Sequence, residues 1–371
     1  MLKYKLIFFI LLFFIFTTYG QETKNDSIKN LKFNWIIAPA YTPELGGMLS
    51  LSGIFSFKTD KNDSLIQRSS FPISFGYSTS GAIIYSGILT SFWNEDKIRL
   101  SAYTYFKSMP DNYWGVGYNN AISTDKSKDS TGYHKHWWQI KPKLVFEIKK
   151  DFFLGFVLDV NQTYIIDSLN DRMKRDPYIK KFGTDNFNVG IGFTGQYDTR
   201  DIPVNSYRGV YISYSALYYD KAFGGDNTYM SGDIDLRFYK YINSLKGVFA
   251  FQTRFRGVTY GAPYAELSQI GTPFDLRGYF WGQYRDNIML YSILEYRYMF
   301  SKKIRKLKMR DGIVLWAGLG TVAHHFNSIK YGLPNIGIGY RIEVQKRMNV
   351  RFDLGFGQNT TGFYINFNEA F

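Results

Sequence analysis

The stretch Gly271-Thr272-Pro273-Phe274-Asp275-Leu276-Arg277-Gly278-Tyr279 sets a planar, permanently charged fork beside a residue with a free backbone. Such an arginine suits a buried carboxylate, and the glycine allows a tight reversal. The chemistry on offer is ion pairing rather than catalysis. The stretch lies in a polar, aromatic and glycine-rich segment, residues 258–285, between two alternating apolar runs. A loop this long in a compact fold is functional or disordered. Other candidates carry less. Gly190-Ile191-Gly192-Phe193-Thr194-Gly195 spells G-x-G-x-x-G, but a dinucleotide site needs that turn to open a helix, and these glycines fall inside a strand pattern. His134, His136, His324 and His325 are the four histidines. All sit in or beside expected loops, where they read as solvated residues more simply than as metal ligands. Asp233 and Asp235 share one strand face, as a salt network requires. No nucleophile elbow, HExxH run or P-loop occurs, and cysteine is absent, which excludes disulfides and thiolate metal sites. The expectation is a non-enzyme with no catalytic residue, metal or cofactor.

The elements that must position Arg277 are strands. From Phe33 onward, apolar and polar residues alternate between turn signals. Sixteen runs fit, near 33–40, 47–57, 70–79, 82–92, 97–107, 136–148, 152–166 and 186–198, then 208–220, 228–241, 245–257, 286–300, 311–322, 333–345, 348–357 and 361–371. In the run 348–357, Val350, Phe352, Leu354 and Phe356 alternate with Arg351, Asp353, Gly355 and Gly357. In 333–345, Ile336, Ile338, Tyr340 and Ile342 alternate with Gly337, Gly339, Arg341 and Glu343. Successive side chains of a strand face opposite sides, so one face is apolar and the other carries charge of both signs.

The sequence begins with Lys3 and Lys5, an apolar run Leu6–Phe16 and a small-residue exit ending at Gly20. That is the pattern of a secretory signal peptide, too short for a membrane helix. Residues 1–20 are expected to be removed, 21–32 to form a polar lead-in, and 33–371 to form one domain. Aromatic residues make up 19% of the chain, with 31 Tyr, 33 Phe and 34 Gly, and mean hydropathy is −0.24. An exported chain of this composition, lacking long apolar runs, fits an all-β transmembrane outer-membrane barrel of about 16 antiparallel strands with aromatic girdles. A soluble β-sandwich or propeller is the alternative. Net charge is +14; export argues against a nucleic-acid partner, and basic residues suit lipid headgroups or a lumen. Sixteen strands with inward charges predict a water-filled interior. The longest connections, about 108–135, 167–185 and 258–285, fall on one side by strand parity.

Three motifs resemble the BamA/TamA family of outer-membrane insertases and translocases, also called the bacterial surface antigen family. Asp275-Leu276-Arg277-Gly278-Tyr279 is similar to the family's valine-arginine-glycine-phenylalanine loop motif. Tyr197-Asp198-Thr199-Arg200-Asp201, followed by Pro203 and Gly209, is similar to its periplasmic turn. Ala38-Pro39-Ala40-Tyr41-Thr42-Pro43-Glu44 is similar to a first-strand ending of its short members. The resemblance implies that the loop folds back into the barrel, with Arg277 paired to Glu295. It also implies that Asp198, Arg200 and Asp201 brace the periplasmic turn. The family's second acid aligns with Gly318, so Asp353 or Glu343 is expected in its place. The ending with Phe363, Ile365, Phe367 and Phe371 resembles the recognition tail of outer-membrane barrels. Residues 21–32 are too few for a POTRA module, which places the chain with the barrel-only branch. The implied location is the outer membrane of a Gram-negative bacterium. The implied partners are its lipid, client outer-membrane proteins and a separate periplasmic protein. The implied activity is protein insertion or translocation. The alternatives are a passive or gated channel using Arg254, Arg256, Arg341 and Arg351, or a structural, partner-binding barrel.

Overall fold

The computed structural model describes residues 31–60, 67–125, 131–166, 170–303 and 309–371. The expected signal peptide and most of the lead-in lie outside the described residues. Among the described residues, sixteen strands close into one antiparallel barrel. Its first half comprises β1 (Leu31–Thr42), β2 (Gly46–Phe57), β3 (Ser69–Ser78), β4 (Ile83–Trp93), β5 (Ile98–Asn112), β6 (Gly132–Lys149), β7 (Phe152–Ile165) and β8 (Asp185–Asp198). Then come β9 (Gly209–Tyr219), β10 (Tyr229–Ile242) and β11 (Gly247–Val258), and, after the long loop, β14 (Ile288–Lys303), β15 (Arg310–Ala323), β16 (Leu333–Gln345), β17 (Met348–Gly357) and β18 (Thr360–Phe367). All sixteen expected runs are strands, and each pairs with its neighbour, β1 closing on β18. Pairing around the ring satisfies edge groups that an open sheet would expose in lipid, least completely at the β1–β18 junction.

The period-two pattern becomes inside and outside. Ile336, Ile338, Tyr340, Leu354 and Phe356 are exposed on the outer wall, while Arg341, Arg351 and Asp353 are completely buried inside. Among the described residues no helix is long and apolar enough to cross a membrane; the strands supply the apolar belt. The loops after β5, β7 and β11 all leave the same end of the barrel, as parity requires. At that end the loop helices Asp171–Arg175 and Pro177–Phe182 bury Met173 and Ile179 against Tyr113 and Tyr264. Asn170 starts the first of them by accepting a 2.9 Å bond from the Met173 N–H, the usual means of satisfying a free helix-end donor.

The interior, which the inward charges predict to be wide enough for water, receives the long loop. The loop between β11 and β14 enters the barrel, carrying a small ribbon of its own, β12 (Ser268–Gln269) paired with β13 (Arg285–Asp286). Leu276 and Tyr279 of this loop join wall residues Tyr291, Ile293 and Trp316 in one buried cluster. The proposed selectivity charges are also occupied. Arg341 and Arg351 are shielded in ion pairs, Arg254 bonds Asp233, and Arg256 donates to the Glu266 carbonyl.

The last strand is corrected. It stops at Phe367 rather than running to residue 371. Asn368, at φ 61°, turns the chain inward, and Glu369, Ala370 and Phe371 are buried. Phe371 therefore does not continue the outward row of Phe363. Its ring rests 5.0 Å from the Arg297 guanidinium and 6.4 Å from the Tyr239 ring. Glu369, which interrupts the apolar row in the sequence, bonds Arg341 and Asn349.

Candidate functional site

Arg277 is fully buried at the loop tip and reaches two strands at once. Its Nη2 donates to Glu295 on β14, and its Nη1 donates to Asp353 Oδ2 on β17 at 2.8 Å. Its guanidinium carbon stacks 3.7 Å from the centre of the Trp316 ring on β15. Asp353, not Glu343, is thus the second acid; Glu343 lies 3.6 Å from Arg310 instead. Gly318, which the motif resemblance aligns with an acid, faces Leu276: a Cβ there would lie 3.3 Å from the Leu276 side chain, and one on Gly320 only 2.4 Å from it. The two glycines leave space on the wall for the Leu276 side chain.

The acids are shared. Glu295 also accepts from Arg297 at 2.8 Å, and Asp353 from Arg341 at 2.6 Å and Arg351 at 2.9 Å. Charges removed from water need such saturation, because their desolvation cost is offset only by close partners. Planar guanidinium forks make several directed bonds at once and suit the task.

The backbone of the tip is fixed as closely as its side chains. Asp275 accepts from the N–H groups of Gly271 and Thr272, both at 2.8 Å, and from Thr272 Oγ1 at 2.7 Å, which closes the turn before Arg277. Asn335 on β16 donates to the Arg277 carbonyl. The Gly278 N–H donates to Tyr364 Oη on β18 at 3.0 Å. Gly278 has φ 118°, a region that side chains avoid. Tyr279 Oη donates to the Pro334 carbonyl at 2.7 Å and accepts from the Gln358 N–H at 3.0 Å. Trp316, Asn335, Gly355 and Tyr364 escaped the motif reading. Their only sequence signal is inward parity, which they share with many residues.

At the opposite end, the turn between β8 and β9 is knit internally. Arg200 holds both oxygens of Asp198, at 2.9 and 2.8 Å, and lies 4.1 Å from the Tyr211 ring centre. It also donates to the Pro203 carbonyl at 3.4 Å. Asp201 accepts from the Tyr207 and Arg208 N–H groups at 2.9 and 3.3 Å. Gly209 permits the close return, since a Cβ would fall 2.3 Å from the Thr199 carbonyl oxygen. The turn also reaches across the mouth: Arg347, between β16 and β17, bonds Asp201 at 2.9 Å and the Asn205 carbonyl at 2.7 Å. No motif predicted that contact.

The closing junction is uneven. β1 pairs with β2 along twelve residues, Leu31↔Phe57 to Thr42↔Gly46. With β18 it pairs, among the described residues, only at Tyr41↔Ile365. Phe363 sits beside this point, its ring 5.8 Å from that of Tyr41; Ile365 and Phe367 are half-buried.

A closed sixteen-stranded antiparallel barrel with an arginine-tipped loop inside it defines an outer-membrane β-barrel. In fold it is similar to BamA from Haemophilus ducreyi lacking POTRA domains 1-3, at 13% identity over 90% of this chain and 69% of that one, with a TM-score of 0.61. CdiB from Acinetobacter baumannii is similar at 14% identity over 92% of this chain and 60% of that one, TM-score 0.55. CdiB from Escherichia coli is similar at 11% identity over 94% and 63%, TM-score 0.56. The chain spans less than two thirds of either CdiB chain, and at these identities the shared property is the fold. No family model and no curated protein matches the sequence.

Proposed function

We propose that this protein is a barrel of the BamA/TamA kind in the outer membrane of a Gram-negative bacterium, assisting the insertion or translocation of other proteins through its β1–β18 seam. The supporting observation is the single paired position at that seam. A seam paired at one position among the described residues is the place where an incoming strand can add to the sheet by backbone pairing. The seated loop supports the same reading over a simple pore, because it lies inside the barrel against β14–β18 while the wall strands stay paired elsewhere. A periplasmic partner would deliver the clients. The arrangement acts by backbone pairing, without catalysis.

The test is a staple. Tyr41 and Ile365 are partners in the ladder, so a Tyr41→Cys, Ile365→Cys pair lies within the Cα separation that a disulfide spans, and the natural chain has no other cysteine. In reconstituted vesicles the oxidised variant should stop inserting nascent barrels and recover on reduction. Photocrosslinkers along residues 31–42 and 360–367 should capture those clients. Unchanged insertion by the fully oxidised variant would defeat the proposal.

A further inference from the structure

The loop that carries Arg277 touches more of the wall than β14–β18. The Gly278 N–H donates to Tyr364 Oη on β18 at 3.0 Å. A few residues further on, the Trp281 N–H donates to Glu44 Oε1 at 2.9 Å, and Glu44 lies in the turn between β1 and β2. One short run of backbone thus holds both sides of a junction that has, among the described residues, the single ladder position Tyr41↔Ile365. The Trp281 ring adds to the hold on the β1 side. It packs against Leu45 of the same turn, Ala82 and Met109. It also lies 5.1 Å from Lys107 Nζ on β5 and 5.7 Å from Lys135 Nζ on β6, and an indole face attracts such cations. Lys135 is fixed there by Asp111 at 2.5 Å.

We propose that this loop is a strap across the seam, with Glu44 and Trp281 as positioning residues that keep β1 beside β18 until the strap lets go. The inference rests on the reading of the seam as the working edge, and it supplies the regulation of that edge. A strand that adds between β1 and β18 needs about 4.8 Å of new width. The backbone from Gly278 to Trp281 reaches at most about 11 Å when fully extended, so a wide opening must break one of its two attachments. The attachments are unequal. On the β14–β18 side Arg277 is buried between Asp353 and Glu295, and charge-assisted bonds to two acids at once are strong. On the β1 side a half-buried ring and one hydrogen bond to Glu44 do the holding. The Glu44 side therefore yields first, and the seam opens while Arg277 stays seated.

The test reads the width of the seam with no client present. The natural chain has no cysteine, so spin labels on Ser80→Cys and Gln358→Cys, exposed loop positions on the two sides of the junction, are the only ones in the barrel. Pulsed dipolar spectroscopy of the full barrel in vesicles should give one narrow distance for the parent. Glu44→Ala and Trp281→Ala should each add a second population longer by about 5 Å or more, the width of one strand. Glu44→Gln keeps an accepting oxygen and should retain the parent distribution. A control pair, Lys330→Cys with Gln358→Cys, lies wholly on the β15–β18 side and should not change. Gel mobility before and after boiling shows which variants are folded; if Trp281→Ala is not, Glu44→Ala, on a partly exposed turn, decides alone. A parental distribution in folded Glu44→Ala, or equal broadening of the control pair, would overturn the strap. Because the readout needs no insertion activity, the two proposals fail separately: a seam that widens as expected, in a barrel whose oxidised staple leaves insertion unchanged, upholds the strap and defeats only the function.

Discussion

The Arg277 carbonyl oxygen lies so close to Gly355 of β17 that a Cβ on that glycine would come within 2.2 Å of it. Loop and wall therefore meet backbone to backbone, and the seat depends on two glycines, Gly278 from the loop and Gly355 from the strand. A Cβ on Gly278 would likewise fall 2.8 Å from the Gly355 carbonyl carbon. Gly355→Ala should displace the tip at a cost of about 1–3 kcal/mol, as overpacking does. Gly278→Ala should cost more, since its positive φ adds strain. The readout is trypsin cleavage after Arg277 or Arg285 in the purified barrel: both variants should be cut faster than the parent.

Arg277→Ala leaves Glu295 and Asp353 buried with one partner fewer. Breaking a buried pair from one side costs roughly 3–5 kcal/mol, so the temperature at which the folded form disappears from unboiled gels should drop. Arg277→Lys should not restore it, because an ammonium lacks the planar fork that spans two strands and lies flat on Trp316. Single-channel conductance in planar bilayers should rise in both variants as the loop loosens. A parental melting temperature with silent bilayers would contradict the seating of the loop.

Glu369→Ala should release the inward-turned end of the chain. It removes acceptors that Arg341 and Asn349 use at 2.9 and 2.6 Å, and leaves a buried guanidinium short of charge. A destabilisation of about 3 kcal/mol is expected. Glu369→Gln keeps an acceptor oxygen and should fall between the two, which thermal gel-shift midpoints would order.

The turn at the mouth should loosen in acid. Burial pushes the Asp201 carboxyl up, but the N–H groups of Tyr207, Arg208 and Ile202, with Arg347, outweigh it and hold the group below its ordinary value. A carboxylate whose folded pKa is depressed stabilises the structure above its unfolded pKa. That contribution fades as pH falls through the lowered one. Hydrogen exchange at the Tyr207 and Arg208 amides should thus lose protection only below the usual aspartate range. Asp201→Asn should show weaker protection with no such step.

What the sequence settled by itself was the barrel. Alternation has a period of two, each strand carries enough residues to show it, and the aromatic and glycine content leaves no competing helix pattern. Strand existence, parity and the inward placement of Glu295 and Arg297 therefore follow from local order alone. Arg277 stood out because an arginine–glycine pair inside a long loop is locally unusual. Its partners were another matter. Asp353 and Glu343 are both inward acids on neighbouring strands, and only closure of the barrel decides which one meets a loop many residues away. The same holds for Gly318 making room for Leu276, for Arg347 reaching Asp201, and for the inward turn of Glu369 and Phe371. Alternation fixes the face on which a side chain lies. It carries no information about what fills the space opposite, because that depends on shear, closure and loop path, which are properties of the whole cylinder.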